Sequence, residues 1–396
     1  MANTFNNVKS VGSIIAKAAA AMLADKVQFI KTIEKEPESS FGSTNGYKHG
    51  DTININKPPR FIPTTTADIT SGIQNVTEEK VPMVLNERHI IGLQGSSLEF
   101  ATTMDLKNWI NRVIDPAMSS LAQTIDARFL TLAKNATFNS VGTAGSTVYD
   151  TDTMLSAGEK LSKNLAPQDD EVYALLEATA MRSATNARKG LFQSSAAIAE
   201  QYKQGYIGQA DGFTYLRSNL MPNHANGADV SGIAVEATVV TIASGMTTLG
   251  VDGVTSGATI KAGTVFTIAS CYAVHPITKA NLGYLQQFVV TADVTETAAN
   301  SVTLAISPAI NYTADSIQNV NTAPVDEDAL VFVGPATTSL AQNLVYHKKA
   351  FRMCSVPLIK PNGLDVVGQE TVDGMTIRVL RGFDIKTDQL ITRLDF

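Results

Sequence analysis

Between Asp105 and Lys134 the apolar side chains Leu106, Ile110, Val113, Ile114, Met118, Leu121, Ile125, Phe129 and Leu132 recur at spacings of three and four. That rhythm sets one continuous stripe on one face of a helix. Asn108, Arg112, Ser119, Gln123 and Asp126 fall on the other side. Trp109, the chain's single tryptophan, sits beside the stripe. Lys107 and Arg128 land near the stripe, where their long stems can lie along apolar surface. Pro116 lies inside the run and predicts a kink, or a break into two helices sharing one face. If unbroken, the stretch spans about 40–45 Å. Leu106, Trp109, Ile110, Val113, Ile114, Leu121, Ile125 and Phe129 are the expected core spine. A helix alone is an ordinary core element, so the segments around it decide the architecture.

A chain of 396 residues is longer than one core usually organises, so two or more domains are expected. Only 17% of residues are charged, a low share that points to much surface ending against other protein. A net charge of −6 argues against holding nucleic acid through basic patches. Cys271 and Cys354 stand far apart and predict no disulfide framework. The alanine-rich run Ala18 to Ala24 is too short for a membrane span and lacks a cleavage pattern, so neither a secretory nor a transmembrane segment is expected.

Taken in order, Val11, Ile14, Ile15, Ala18 and Met22 keep helical spacing, continued on a shifted face by Leu23, Val27, Ile30 and Ile33. Such a helix either docks on a partner as an arm or packs on its own domain, and both readings stand open. Asp51 to Asn56 alternates like a strand, and Val81 to Leu93 reads as a second extended run. The Pro-marked stretch between them makes a long two-stranded excursion. A ribbon of that reach is marginal alone and should rest on a neighbouring copy.

After the central helix, Thr151 to Leu165 reads as a helix begun by Asp150 or Asp152, and Glu171 to Leu176 as a strand. Glu177 to Ala187 and Ala196 to Gln204 read as helices, and Gly212 to Pro222 as an outgoing strand. From Ala225 to Val320 there is no arginine, and Val, Thr, Ala and Gly dominate. Strand-like runs cover Val235 to Ile242, Thr264 to Tyr272, Phe288 to Val294 and Ser301 to Ile306, punctuated by glycines. This predicts an all-β sandwich or small barrel inserted into an α/β domain. Ala350 to Leu358 is expected to share a sheet with Phe213 to Met221. Met375 to Leu380, Gly382 to Ile385 and Ile391 to Phe396 close the chain, the last two as a hairpin that pairs near Glu99.

Catalytic machinery is missing from the pattern. No phosphate-cradling glycine loop, dinucleotide turn or nucleophile elbow is present. His49, His89, His224, His275 and His347 are scattered, and Cys271 and His275 are separated by about 13 Å if they share a strand. Asp169, Asp170 and Glu171 can be read as a cation site, but read better as a solvated turn. No catalytic, cofactor or metal residues are expected, and the chain reads as no enzyme.

Four ordered stretches carry a resemblance. They are Gly205-Tyr206-Ile207-Gly208 through Gly212-Phe213 to Ser218–Pro222; Lys261–Ile268 with Gln287-Phe288-Val289-Val290; Ala350-Phe351; and Met375–Val379 with Asp384-Ile385, Asp388 and Arg393-Leu394-Asp395. Together they resemble the major capsid proteins of tailed bacteriophages, whose fold is named after a Hong Kong phage, and within them the coat subgroup of short-tailed Salmonella phages. Glu177-Ala178 departs from that pattern, where relatives more often carry a Ser-Pro helix start.

The resemblance implies an α+β capsid fold with an N-terminal arm (1–40), an extended loop with adjoining strands (41–98) and a peripheral domain with the spine helix (99–150). It further implies an axial domain (151–224, returning at 346–374), an inserted all-β barrel-like domain (225–345) and a closing peripheral hairpin (375–396). On the extended loop, Lys57, Arg60, Glu78, Glu79 and Lys80 become the expected inter-subunit contacts. The implied partners are further copies in pentamers and hexamers, an internal scaffolding protein, a portal protein, and double-stranded DNA enclosed without sequence-specific binding. No membrane is implied. The implied place is the virion capsid, assembled in the bacterial cytoplasm, and an acidic chain suits a container whose lining must not grip DNA. The alternative is an encapsulin-like bacterial compartment shell.

Overall fold

The computed structural model describes residues 4–36, 52–59, 80–96, 110–146, 149–188, 207–227, 231–297, 300–361, 363–364, 366–386 and 389–396, with positions 61, 70, 73 and 76. Two compact units divide the chain. One comprises Met1–Pro58, Glu78–Phe129 and Lys349–Phe396, the other Pro59–Thr77 and Leu130–Lys348.

The first unit begins with helices α1 (Thr4–Lys26) and α2 (Phe29–Thr32) and a short strand β1 (Glu34–Lys35). Ile15, Ala16, Ala19, Ala20 and Leu23 are buried along α1, followed by Val27, Phe29, Ile30 and Ile33. Strand β2 (Thr52–Asn56) pairs antiparallel with β3 (Lys80–Val84), Thr52 opposite Val84 and Asn56 opposite Lys80. The extended run expected through Leu93 is divided: β3 stops at Val84, and β4 (Ile90–Ser96) joins a different sheet. The reason lies between them. Glu87 is held by Arg128 and Arg88 by Asp395, while His89 and Phe396 exchange both backbone hydrogen bonds at 2.9 Å.

The central helix enters through one π turn, Ile110–Ile114, and then runs as α3 (Asp115–Ala136). Pro116 therefore neither breaks nor ends it. It is the second residue of α3, directly after the π turn, where a change of winding accommodates a residue without an N–H. At 22 residues α3 is about 33 Å long.

The second unit continues with α4 (Thr151–Lys163), β5 (Val172–Leu176), α5 (Ala178–Ala187), β6 (Gln209–Ala210) and β7 (Phe213–Arg217). Asp150 caps α4, its carboxylate accepting from the Thr153 N–H at 2.9 Å. The helix expected over Ala196 to Gln204 lies outside the described residues. Met154, Val172, Ala174, Leu176, Ala180, Met181, Ala184, Phe213 and Tyr215 form the core here. Gly158 lets α4 lie close to β7, for a Cβ there would sit 3.1 Å from the Phe213 ring.

A two-residue strand, β8 (Asn223–His224), leads into β9 (Ala234–Val235), β10 (Met246–Asp252), β11 (Thr259–Ile260), β12 (Val265–Val274), β13 (Asn281–Val290), β14 (Val294–Thr295), β15 (Val302–Ile310) and β16 (Leu330–Phe332). Six of these make one sheet in the order β16-β12-β13-β15-β10-β9. It closes on itself: Ala234 bridges Ala329, and the N–H groups of Val235, Glu327 and Leu330 bond across the seam at 2.9 Å. The barrel core includes Leu249, Phe266, Ile268, Phe288, Val290, Leu304 and Phe332, with Phe266 stacked at 5.9 and 5.7 Å from Phe288 and Phe332.

Of the run expected as a strand over Val235 to Ile242, only Val235 is in one, at the end of β9, and the chain then turns from Ala237. Asp326 accepts from the Ala237 N–H at 2.8 Å and Glu236 from the Thr238 N–H at 3.0 Å, which takes that backbone away from any ladder. The strand is β10, whose Gly250 lies so close to the Glu236 carbonyl that a Cβ would come within 2.6 Å. The chain leaves through β17 (Leu340–Ala341), paired antiparallel with β8, and then β18 (Leu344–His347). The second sheet of this unit is β18-β5-β7-β6, with β5 and β7 parallel. The strand returning to it is thus β18, and the expected Ala350 to Leu358 pairs only as β19 (Arg352–Met353), parallel to β1 in the first unit.

The tail completes the first unit with β20 (Val366–Val372), β21 (Met375–Asp384) and β22 (Gln389–Asp395), in the sheet order β20-β21-β22-β4. Met375 to Leu380 and Gly382 to Ile385, read as two runs, are largely one strand. The expected pairing near Glu99 falls on β4, with Ile391 opposite Gln94. α1 packs on β20 and β21.

Candidate assembly surfaces

Of the expected spine residues, Ile114, Leu121 and Ile125 are buried, and Val113 and Phe129 are half-buried. Leu106, Trp109 and the Ile110 side chain lie outside the described residues. Leu132, placed on the stripe by spacing, is 43% exposed. Asp126 corrects the sequence reading most sharply. Assigned to the polar face, it is 2% exposed. Its carboxylate accepts from the backbone N–H groups of Gln28 at 2.6 Å and Ile30 at 3.3 Å, where α2 begins. Helix starts leave such donors unpaired, and here a residue of α3 supplies the acceptor. Burial pushes the Asp126 carboxyl up, more than the backbone bonds from Gln28, Ile30 and Phe29 pull it down.

The same N-terminal segment has four further attachments. β1 pairs with β19, Arg352 reaches Glu34 at 2.8 Å and Glu36 at 3.3 Å, and Lys35 bonds Asp373. Phe29 meets Phe351 edge to face at 5.7 Å. Of the two readings of the N-terminal helix, packing on its own unit is what the structure contains.

The ribbon of β2 and β3 is different. Lys57 and Lys80 are exposed, and so are Val81 and Val84 at 43% and 44%. Arg60, Glu78 and Glu79 lie outside the described residues.

At the C-terminal sheet, sequence reasoning passed over a buried charge cluster. The Asp395 carboxylate, with no exposed side-chain surface, accepts from Arg378, from Arg88 at 2.8 Å and from Arg393 at 2.6 Å. Burial raises its carboxyl, but the three guanidinium groups outweigh that and the net shift is downward. No local pattern signals it, because Arg88, Arg378 and Arg393 come from three segments.

The barrel touches the body of its own unit. Gln287 on β13 clasps Ser140 twice, accepting from its N–H at 2.9 Å and donating to its carbonyl at 3.0 Å. The Lys160 and Lys163 ammonium groups of α4 lie 4.1 and 5.1 Å from the centre of the Tyr284 ring.

Asp169, Glu171 and His347 draw together, their ligand atoms within 4.8 Å of one another. His347 lies 2.9 Å from Asp169, and the Lys348 ammonium 2.6 Å from Glu171. Both carboxylates are thereby engaged by β18 and its next residue, fastening the strand to the sheet's first turn. In the core of the second unit Arg188 bonds Asp211, the Tyr215 hydroxyl at 2.6 Å and the Ala184 carbonyl at 2.7 Å. Cys271 is buried, which pushes its thiol up to about 12 and leaves it unreactive. No helix among the described residues is long and apolar enough to cross a membrane.

Polar groups that meet here fasten strands and helix starts within each unit, and the β2–β3 ribbon carries exposed valines. These are the features of a structural subunit, and the class it belongs to is the phage coat proteins. The chain belongs to the family described as P22 coat protein, gene protein 5, whose model matches residues 45–396. It is 22% identical, over 98% of its own length and 95% of the relative's, to the major capsid protein of Acyrthosiphon pisum secondary endosymbiont phage 1.

Among solved structures it is similar to one from Mycobacterium phage Che8, at 11% identity and a TM-score of 0.38, covering 77% of this chain and 90% of that one. It also matches the CUS-3 coat protein I-domain at 26% identity and a TM-score of 0.18, covering 28% of this chain and 93% of that one. The chain is a phage major capsid protein, α+β in fold, and not an enzyme. As a coat protein it is a component of the virion's shell. The encapsulin-like alternative finds no support in these relationships.

Proposed function

We propose that this subunit builds its shell first as a scaffold-assisted procapsid, which expands as double-stranded DNA is packaged through a portal. Assembly takes place in the bacterial cytoplasm, with pentamers and hexamers as the building units. The β2–β3 ribbon supports the assembly from many copies, and the membership of the coat protein family supports the rest. A two-stranded ribbon with Val81 and Val84 exposed has too little to bury by itself, and a neighbouring copy supplies the missing surface. Lys57, Arg60, Glu78, Glu79 and Lys80 then lie at that contact. Residues 225 to 345 act as an inserted domain, a reading supported by the pairing of β8 with β17, which brings the chain's way in and way out together. The contacts of Gln287 and Tyr284 support a bracing role for it within the subunit.

The test is negative-stain microscopy of the chain expressed with and without an internal scaffolding protein. Uniform procapsid-sized shells with scaffold, and sheets, tubes or shells of mixed size without it, are expected. Uniform shells in both conditions would refute the scaffold dependence, and a monomer in both would refute assembly through this ribbon.

A further inference from the structure

Where the chain enters the barrel, His224 on β8 is held between two elements. Its Nδ1 lies 3.2 Å from the Lys134 ammonium, in the last turn of α3. Its Nε2 lies 3.2 Å from the hydroxyl of Thr264, which is fully buried just before β12. An ammonium can only donate, so Nδ1 must accept, and the ring is neutral with its proton on Nε2. That proton goes to the Thr264 oxygen, and the Thr264 hydroxyl donates onward to the Asn226 carbonyl at 3.3 Å. One lysine thus sets the direction of the whole chain of bonds.

The packing around it is tight. Gly263 has φ of +91°, and a Cβ there would lie 2.8 Å from the Asn135 Oδ1, 3.2 Å from the Lys134 Cε and 3.4 Å from the His224 Cε1. The Asn135 Oδ1 is itself buried and has no hydrogen-bond partner among the described residues. The charged neighbours are few. Lys134 faces the ring directly, and Asp293, in the turn after β13, acts on both Lys134 and His224. Asp293 is engaged elsewhere, by the Lys261 ammonium at 3.0 Å and the Ala262 N–H at 2.8 Å.

We propose that the Lys134–His224–Thr264 chain is an acid-opened latch that fixes the root of the barrel to the end of the long helix. A proton taken up by the ring can only go to Nδ1. It removes the acceptor of the Lys134 bond and sets two cations 3.2 Å apart, so the contact opens. Burial first, and Lys134 second, pull His224 down to about 4, against a smaller upward pull from Asn226 and Asp293. A histidine lowered in the folded state contributes its stability above the unfolded value of 6.5 and loses it as pH falls from there through about 4.

The experiment is amide hydrogen exchange on the full chain over residues 223–227 and 261–265, corrected for the intrinsic pH dependence. It is combined with histidine-resolved NMR titration. Uptake of one proton raises the local opening constant by about tenfold per pH unit, between roughly pH 6 and 4.5. The wild type is expected to follow that slope. His224→Gln keeps an acceptor and a donor but cannot titrate, so its slope should be flat. Lys134→Met should bring the His224 titration back towards the ordinary range. Equal slopes in wild type and His224→Gln would overturn the latch. So would a wild-type His224 that titrates near 6.5, a measurement that needs no variant to fold.

Discussion

Replacing Asp126 by alanine tests the attachment of the N-terminal segment to α3. The carboxylate holds the Gln28 N–H at 2.6 Å and the Ile30 N–H at 3.3 Å. A hydrogen bond to a charged group contributes about 1.5–3 kcal/mol, and the longer bond belongs at or below the low end. Asp126→Ala removes both and leaves donors without an acceptor at the start of α2. It also relieves a buried carboxylate of its desolvation, which offsets part of the loss. The expected net destabilisation is about 2–4 kcal/mol. Asp126→Asn keeps one oxygen acceptor and should fall between the two.

The sign of the pH effect follows from the same geometry. The folded carboxyl is raised above 3.8, so its contribution is greatest below that value and declines as pH rises through the raised folded value. Asp126→Asn should lose that dependence. Urea unfolding at neutral pH, followed by circular dichroism, gives the magnitude. The rate of trypsin cleavage after Lys26 and Lys31 reports whether the segment has lifted. An Asp126→Ala protein with unchanged midpoint and unchanged cleavage would show that the carboxylate holds nothing in place.

Phe266→Ala opens a hole between Phe288 and Phe332 in the barrel and should cost about 3–5 kcal/mol, read as an earlier thermal transition. Asp395→Ala strands the buried Arg378 and should cost about 3–5 kcal/mol in urea unfolding at neutral pH. Because the Asp395 carboxyl is held below 3.8, its contribution persists above that value and is lost as pH falls through its lowered one, the opposite of Asp126. Shortening the ribbon between positions 58 and 79 to a tight turn should leave a folded subunit whose sedimentation shows few shells. Normal shells would place the inter-subunit contact elsewhere.

The long helix was legible because its information is local: Ile114, Met118, Leu121 and Ile125 repeat within one element and are all buried. Asp126 was not legible, because the groups that make its burial tolerable lie 96 and 98 residues away. The turn from Ala237 was misread for a related reason. Its β-branched side chains favour a strand, but Asp326, 89 residues on, takes the Ala237 N–H. The charge cluster at Asp395 and the latch at His224 escaped for the same cause, each drawing on several segments. The β character of the insertion was legible from composition. Its closure was not, since the seam is a matter of register.

That seam bears on how many copies of one chain can be crowded together. An open sheet offers each neighbour a row of free N–H and C=O groups, and identical sheets at high local concentration pair through them. With Ala234 bridged to Ala329, the barrel's first and last strands occupy each other. The barrel can therefore be repeated on many copies of the chain without offering its main ladder as a template for unplanned strand exchange. What the closed barrel presents outward is side chains, which can be changed by single substitutions without disturbing the sheet beneath.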